Sequence, residues 1–439
     1  MKKFLKISVC VFFGVLLCYG FGRLKTDGTI LLRFQEHENE ENISETAKTT
    51  EQKIKKEKTK EQKTKEAIGQ ALETDETDQW IQEKLAGMTI EQKAAQLFVI
   101  LPEALTGVKQ VVRAGETSEQ CYSRYPVGGI IYMADNLQNP SQTKEMLANM
   151  MAFSRKEIGV LLFLCVDEEG GRVARIASNP EFEVENVGDM RKIGDLGEVE
   201  NAYEAGTKIG SYLKELGFNV DFAPVADVLT SSENSLLQDR SFGKDVQLVS
   251  SMAEAFSKGL NDEGIFACAK HFPGHGGTKE DSHKGYAITD QTLEEMRKAE
   301  LQPFIRQIEN KIPFIMAGHI SAPNVTGDQT PASLSSQILT DLLRKELHYD
   351  GIIITDALNM GAIVNHYTSA EAAVLAFHAG ADMLLMPQDF KSAYEAILYE
   401  IRQGNISQER LDDSIRRILK VKSELFDKLK QDNTEEEKK

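Results

Sequence analysis

A stretch of fourteen residues, 270–283 (KHFPGHGGTKEDSH), holds three histidines, two lysines and two carboxylates. A long segment without helical or strand periodicity is uncommon in a compact domain unless it serves a functional site. If the backbone is extended at Asp281 and His283, their side chains point to the same side. Asp281 would then orient the imidazole of His283, and the two residues would resemble a proton-transfer dyad.

Asp356 is a second candidate for chemistry because it directly follows an apolar run at 351–355 (GIIIT). A carboxylate at the end of a buried strand could face a ligand, or it could cap the next helix. His283 can both give and accept a proton near neutral pH. Asp356 and His283 would together supply a nucleophile and an acid/base. Glycoside cleavage usually uses two carboxylates, so the histidine would be an unusual partner.

Other ionisable residues follow further apolar runs and could bind a polar ligand. They are Asp167 and Arg175 in VDEEGGRVAR, Arg240 in DRSFG, and Lys270 and His271 in KHFPGHG. Carboxylates accept hydrogen bonds from sugar hydroxyls, whereas arginine and lysine donate to hydroxyls, carbonyls and carboxylates. For each residue taken alone, a surface ion pair is the ordinary alternative. Several such residues at strand ends indicate a binding site.

Two other chemistries use the same residue types. His271, His275, His283 and Asp281 could ligate a metal ion, because histidine and carboxylate are common ligands of zinc and manganese. Against a metal-dependent barrel hydrolase, no His-x-His follows the first apolar run. A serine hydrolase is disfavoured because no Gly-x-Ser-x-Gly elbow is present. We therefore expect no metal and no cofactor.

The elements that must position these residues follow a regular alternation. Apolar runs of strand length occur at 96–101, 128–133, 160–166, 218–223, 265–269, 313–317, 351–355 and 382–386. Segments with helical periodicity lie at 141–158, 201–217, 250–264, 293–310, 336–348 and 369–380. Continuous apolar strands alternating with amphipathic helices indicate a parallel sheet buried on both faces. The eight units predict an α/β fold with a single (β/α)8 TIM-type barrel, whose active site lies at the C-terminal ends of the strands.

The segments outside the barrel are predicted to export it, or to anchor it to a membrane through a flexible linker. Lysines precede an apolar run at 7–21, so residues 1–25 are typical of a signal peptide or a membrane anchor. Residues 26–78 predict a charged flexible linker, 79–428 the catalytic barrel and 429–439 a solvated tail. This organisation favours an extracytoplasmic location, either secreted or held at the outer face of the cytoplasmic membrane. Any membrane contact is expected only through the N-terminal segment.

Charge and cysteine content exclude two classes of protein. The net charge of −17 argues against a nucleic-acid partner, because binding phosphate requires a basic surface. Of the five cysteines, Cys121, Cys165 and Cys268 lie beyond the N-terminal segment, and three cysteines do not make a disulfide framework. Cys165 and Cys268 lie inside apolar runs and are predicted to be core residues.

The motifs closely resemble those of the NagZ-type β-N-acetylglucosaminidases of glycoside hydrolase family 3. The resemblance covers roughly residues 80–428 and rests on KHFPGHG and DSH. It implies removal of non-reducing terminal N-acetylglucosamine from peptidoglycan fragments with retention of configuration. By this resemblance, Asp356 is the nucleophile, His283 the acid/base and Asp281 its dyad partner. The same resemblance assigns the sugar contacts to Asp167, Arg175, Arg240, Lys270 and His271.

The resemblance implies a carbohydrate partner, and we expect a monomer. The dyad favours a hexosaminidase, since relatives in the same family that act on glucosides lack it. The alternatives are a family 3 β-glucosidase or β-xylosidase, and a non-catalytic barrel that binds wall glycan. Hydrolysis and phosphorolysis both remain open, because some relatives are thought to use phosphate as the acceptor.

Overall fold

The computed structural model describes residues 76–231, 234–278 and 287–436, with side chains to residue 425. These residues belong to one compact unit, Glu76–Lys439. The predicted signal or anchor and nearly all of the predicted linker lie outside the described ranges. Within those ranges, no helix combines the length and the apolar composition that a membrane crossing requires.

Each of the eight apolar runs contains or overlaps one strand of a parallel sheet. The strands are β1 Phe98–Ile100, β2 Gly129–Ile131, β3 Phe163–Val166, β4 Val220–Asp221, β5 Phe266–Phe272, β6 Phe314–Ala317, β7 Ile352–Thr355 and β8 Leu384–Leu385. Their spatial order is β7-β6-β5-β4-β3-β2-β1-β8, and the paired neighbours are parallel. The predicted α/β fold with an eight-stranded parallel sheet is confirmed.

The two end strands of the sheet approach each other. Ile354 of β7 forms a parallel bridge with Met383, next to β8. The N–H of Thr355 donates to the Met383 carbonyl at 3.1 Å. The sheet is therefore a nearly closed barrel of the TIM type, and the C-terminal ends of its strands meet at one mouth.

Helices alternate with the strands and cover the outside of the sheet. The main ones are α1 Ile90–Gln96, α2 Glu116–Arg124, α3 Pro140–Glu157, α4 Val199–Leu216, α5 Val246–Asp262, α6 Leu301–Glu309, α7 Ser369–Ala379, α8 Phe390–Gln403 and α9 Gln408–Glu436, with the π-helix Gln337–Glu346 between β6 and β7. Local signals set their ends. For example, Asn139 caps α3 ahead of Pro140, and Gly217 ends α4 in the left-handed conformation.

The helix predicted at 293–310 is wrong in one respect, because the structure divides it into Leu293–Lys298 and α6. Ala299 leaves helical geometry (φ −130°, ψ −79°). Glu300 is buried, and its carboxylate accepts hydrogen bonds from Thr230 and Gln291 rather than following the helix surface. A long-range contact therefore overrides the helical periodicity.

Helix α9 places a buried lysine near the starts of β1 and β3. Lys422 is 0% exposed, and its Nζ donates to Gln96 Oε1 at 2.7 Å. The same Nζ lies 4.9 Å from the centre of the Phe163 ring, at the start of β3. Burial lowers the pKa of Lys422 to about 7.

We expect Lys422→Met to stabilise the protein near pH 7 and to flatten the dependence of its stability on pH. Between about 7 and the usual lysine pKa of about 10.4, the unfolded chain holds a proton that the folded protein lacks. Stability of the natural protein should therefore rise with pH across this window. We expect a gain of about 1–3 kcal/mol at pH 7, reduced because Gln96 Oε1 loses its donor.

Urea unfolding at pH 7 and pH 10 measures both effects. Lys420→Met is a suitable control, because the Lys420 side chain lies two positions away on the same helix and is 56% exposed. A Lys422→Met variant with the same pH profile as the natural protein would contradict the prediction.

Candidate active site

A pocket of about 350 Å³ opens at the C-terminal ends of the barrel strands. Six side chains predicted to form the site line it: Asp167, Arg175, Arg240, Lys270, His271 and Asp356. Methionines 133, 316, 360 and 386 with Leu385 form much of the apolar wall. The pocket therefore combines one charged side with one apolar side, as sites for small polar ligands usually do.

Asp356 follows β7 directly and presents its carboxylate to the pocket. Its Oδ1 accepts a hydrogen bond from the Ala357 N–H at 2.7 Å. It does not cap the following helix, Gly361–Val364, which has Met360 at its N-cap. Burial alone would raise the pKa of Asp356, but His319, His271 and the Ala357 N–H hold it below its ordinary value. Asp356 is therefore ionised at neutral pH.

Lys270 is held between two carboxylates. Its Nζ lies 2.9 Å from Asp167 Oδ1 and 2.6 Å from Glu169 Oε1. Glu169 also accepts two hydrogen bonds of 2.7 Å from Arg240, through Nε and Nη2. Burial would raise the pKa of Glu169, but Arg240 and Lys270 hold it far below its usual range. These cations are fixed before any ligand arrives, and their pairing is buried rather than on the surface.

A tight hairpin after β3 positions Arg175. The buried Glu168 carboxylate accepts hydrogen bonds from the N–H groups of Arg175, Ile176 and Ala177 at 2.5, 2.9 and 2.8 Å. Gly171 turns the hairpin with a φ of 55°, and a Cβ there would lie 2.6 Å from Asp189 Oδ1. Arg175 Nη2 is 3.6 Å from Asp167 Oδ2, while its Nε has no partner among the described residues. The Arg175 side chain is 26% exposed and lines the pocket, so its guanidinium can donate to a ligand there.

Asp227 orients the His271 ring by bonding the ring nitrogen that faces away from the pocket. Its Oδ2 lies 2.7 Å from His271 Nδ1, and its Oδ1 accepts the N–H of His275 at 2.7 Å. His275 is itself bonded through Nδ1 to Thr278 Oγ1 at 2.7 Å. Burial and the neighbouring His271 lower the pKa of His275 to about 4, so His275 is neutral under ordinary conditions. With Nδ1 facing Asp227, His271 presents Nε2 to the pocket.

His319 supports the turn that carries Asp356. It is completely buried after β6, with Nδ1 at 2.7 Å from Ser333 Oγ and Nε2 at 2.9 Å from the Ala357 carbonyl. Because the Ala357 carbonyl can only accept, Nε2 carries a proton and donates it to that carbonyl. The ring therefore fixes the backbone of Ala357, whose N–H bonds the Asp356 carboxylate.

The predicted position of Lys270 and His271 needs a correction. The fifth apolar run was expected to end at residue 269, with both residues in the following loop, but β5 extends to Phe272. Both side chains are buried and bonded to carboxylates, which allows the strand to continue through them. Asp281 and His283 lie outside the described residues, so the dyad stays a prediction. No group of three or more potential metal ligands is found within the described ranges.

Sequence reasoning missed two carboxylates that organise the pocket. Glu169 and Asp227 are both buried, and they contact partners 71 and 44 positions away in the chain. Each follows an apolar strand by a few residues, as the predicted residues do. That spacing could have marked them as candidates, but it could not show that they contact side chains rather than a ligand.

Comparison with known proteins identifies the family. Residues 89–421 match the glycosyl hydrolase family 3 N terminal domain. A β-hexosaminidase of Mycobacterium tuberculosis, LpqI, is 31% identical over 340 residues, which are 75% of this chain and 82% of the relative. The chain therefore belongs to glycosyl hydrolase family 3, as the motifs indicated.

Two further relatives are longer than this chain. β-Hexosaminidase A of Pseudoalteromonas piscicida is 36% identical over 330 residues, 69% of this chain and 54% of the relative. The structure of a family 3 β-N-acetylglucosaminidase from Paenibacillus sp. str. FPU-7 matches with a TM-score of 0.72 and 36% identity, over 77% of this chain and 63% of that chain. The chain thus spans about half to two thirds of these two proteins.

Proposed function

We propose that this chain is a retaining exo-β-N-acetylglucosaminidase that releases non-reducing terminal N-acetylglucosamine from peptidoglycan-derived fragments. The observation that carries the proposal is the ionised Asp356 carboxylate in a small pocket with fixed hydrogen-bond donors. Relatives named β-hexosaminidase and the Paenibacillus β-N-acetylglucosaminidase support the choice of sugar.

The pocket residues are suited to holding one sugar ring. Its volume of about 350 Å³ is near the lower end of the usual range for ligand pockets, about 300–1,000 Å³. Lys270, Arg240 and Arg175 donate to hydroxyl and acetamide oxygens, and Asp167 accepts from hydroxyls. Because salt bridges already fix these side chains, little conformational entropy is lost when the sugar binds.

The proposed reaction has two steps. In the first, Asp356 attacks the anomeric carbon, the bond to the leaving oxygen breaks, and protonated His283 gives its proton to that oxygen. Asp281 stabilises the imidazolium before this transfer. In the second step, neutral His283 takes a proton from water, the water oxygen attacks the anomeric carbon, and Asp356 is released. The sugar keeps its configuration because two displacements occur at one carbon.

We expect the purified protein to release N-acetylglucosamine from defined N-acetylglucosaminyl-muramyl fragments, which mass spectrometry of the products would detect. On nitrophenyl glycosides, the N-acetylglucosaminide should react at least about a hundredfold faster than the glucoside or the xyloside, because polar groups that bind the acetamide would be left unpaired. A chelator should not change the rate.

Each rival function has its own outcome in this experiment. Faster turnover of the glucoside or the xyloside would indicate a β-glucosidase or a β-xylosidase, and binding without turnover would indicate a wall-glycan-binding barrel. Sugar 1-phosphate formed in phosphate buffer would show that phosphate replaces water as the acceptor. Loss of activity on chelation would contradict the reaction described above.

The proposal also includes an extracytoplasmic location, where wall fragments are available. It is supported by the lysines and the apolar run at the start of the sequence. Fractionation of the producing cells would test it, with the protein expected outside the cytoplasm or at the membrane. Recovery from the cytoplasm alone would contradict it.

A further inference from the structure

A buried polar cluster outside the pocket has no role in the reaction described so far. Glu300 is 1% exposed, and its Oε1 accepts hydrogen bonds of 2.7 Å from Thr230 Oγ1 and from Gln291 Nε2. We call Glu300, Gln291 and Thr230 the Glu300 cluster. Its members come from the segment after β4, the segment after the strand Ala287–Ile288 and the break before α6. The cluster therefore joins three connections of the barrel.

The cluster packs directly against the backbone of the glycine-rich segment after β5. A Cβ on Gly277 would lie 2.9 Å from Thr230 Oγ1, 3.1 Å from Glu300 Oε1 and 3.4 Å from Gln291 Nε2. A Cβ on Gly274 would lie 2.5 Å from the Cβ of Glu300. Both glycines thus pack closely against the cluster, and a larger residue at either position would require the cluster to move. The contact fixes the position of this backbone relative to Glu300.

These contacts lie at both ends of the stretch that carries Asp281 and His283. On one side, the described chain runs from His271 through Gly274 and Gly277 to Thr278. On the other side it resumes at Ala287 and reaches Gln291 four residues later. Glu300 contacts the first end by packing against its glycines and the second end by its hydrogen bond with Gln291. The side chain of Glu300 therefore contacts the described chain on both sides of that stretch.

The hydrogen bonding of the cluster is incomplete among the described residues. Glu300 Oε2 and Gln291 Oε1 are buried, and neither has a partner within the described part of the chain. A buried acceptor without a protein donor reduces stability unless water bonds it, so these two atoms show that the cluster is not held by a complete set of protein hydrogen bonds.

We propose that Glu300 is a positioning residue for the acid/base of the reaction. Glu300 contacts the described chain on both sides of 279–286, so its loss should affect the protonation step, which needs His283, more than the attack by Asp356. This inference rests on the proposed function, since it assigns Glu300 a part in protonating the leaving oxygen. Glu300 itself does not line the pocket and is not expected to touch the sugar.

The test compares two substrates that carry the same sugar and whose leaving groups differ strongly in their need for a proton. One is an aryl N-acetylglucosaminide with an activated dinitrophenyl leaving group, and the other is the N-acetylglucosaminyl-muramyl disaccharide. The quantity measured is the ratio of the two kcat values for each variant. This ratio does not depend on the fraction of folded enzyme, so a variant that is merely destabilised keeps the ratio of the natural protein.

We expect Glu300→Ala to lower kcat at least tenfold more for the disaccharide than for the activated glycoside, with little change in KM. Glu300→Gln should keep nearly the natural ratio, because its amide oxygen accepts the same two hydrogen bonds. Gln291→Leu should shift the ratio in the same direction as Glu300→Ala. This variant provides the test if Glu300→Ala does not fold.

Glu254→Ala is the matched control. Glu254 also bonds the region of α6, through Arg306 and Asn310, but it lies on α5 and is not among the nearest neighbours of Gly274 or Gly277. We expect it to lower thermal stability without changing the ratio. An unchanged ratio in both Glu300→Ala and Gln291→Leu, in a natural protein that is active, would refute this inference alone. A natural protein that releases no sugar would refute the proposed function and this inference with it.

Discussion

Replacing Asp356 with alanine is expected to abolish turnover of an aryl N-acetylglucosaminide, with a loss on the order of 10⁴- to 10⁶-fold in kcat, the scale seen when a catalytic nucleophile is removed. The loss follows because no covalent intermediate can form without the carboxylate. Folding should be preserved, since the only side-chain hydrogen bond that Asp356 makes within the described residues is to its own neighbour, Ala357. A rate assay with a thermal melt on the same sample measures both.

Asp350→Ala provides the control for this variant. Asp350 lies just before the other end of β7, and its side chain is 77% exposed. It should keep full activity, which would show that removing a carboxylate near this strand is harmless in itself. A folded Asp356→Ala variant that retains a substantial rate would show that the nucleophile is another residue.

The second large effect is expected for His283→Ala, and it should depend on the leaving group. On natural disaccharides, kcat should fall by about 10²- to 10⁴-fold, the usual contribution of a general acid. On an activated aryl glycoside the first step needs little protonation, so the loss should be much smaller. The rate of this variant should also lose the pH dependence due to an imidazole, whose ordinary pKa is about 6.5.

His378→Ala is the matched control here, because His378 is an exposed histidine on α7. It should leave both substrates unaffected. Equal losses of His283→Ala on the two substrates would contradict an acid role and would leave Asp356 without its assigned partner. The assignment of Asp281 depends on the same outcome, since a dyad partner acts only through the histidine.

The barrel could be predicted from the sequence because strands that are buried on both faces are apolar at consecutive positions. Strands β2, β6 and β7 lie in short, almost unbroken apolar runs. One such run could also belong to a buried helix, as the run 372–377 of α7 does, but eight of them alternating with amphipathic segments indicate a buried parallel sheet. The pocket residues could be predicted for a related reason. Barrel closure brings all strand ends to one mouth, so Asp167 and Asp356 could be placed together without a long-range contact being known.

What could not be predicted depends on pairings between distant residues. Nothing local distinguishes Glu169, which forms ion pairs with Lys270 and Arg240, from Glu168, which accepts hydrogen bonds from three backbone N–H groups of the next turn. The break at Ala299 was hidden for the same reason, because the helical pattern of 293–310 is good and Glu300 reveals its role only through Thr230 and Gln291. Burial of a carboxylate is decided by its partners, and the partners are far away in the chain.

The small volume of the pocket, about 350 Å³, has a consequence for the kinetics on polymers. If only one ring fits, the concentration that governs velocity is that of glycan termini and not the mass of glycan. At equal mass, longer strands should therefore be degraded more slowly, in proportion to their length. Any lytic enzyme that cuts strands internally would increase the number of termini. The rate at which this protein releases sugar would then rise, although the two enzymes do not bind each other.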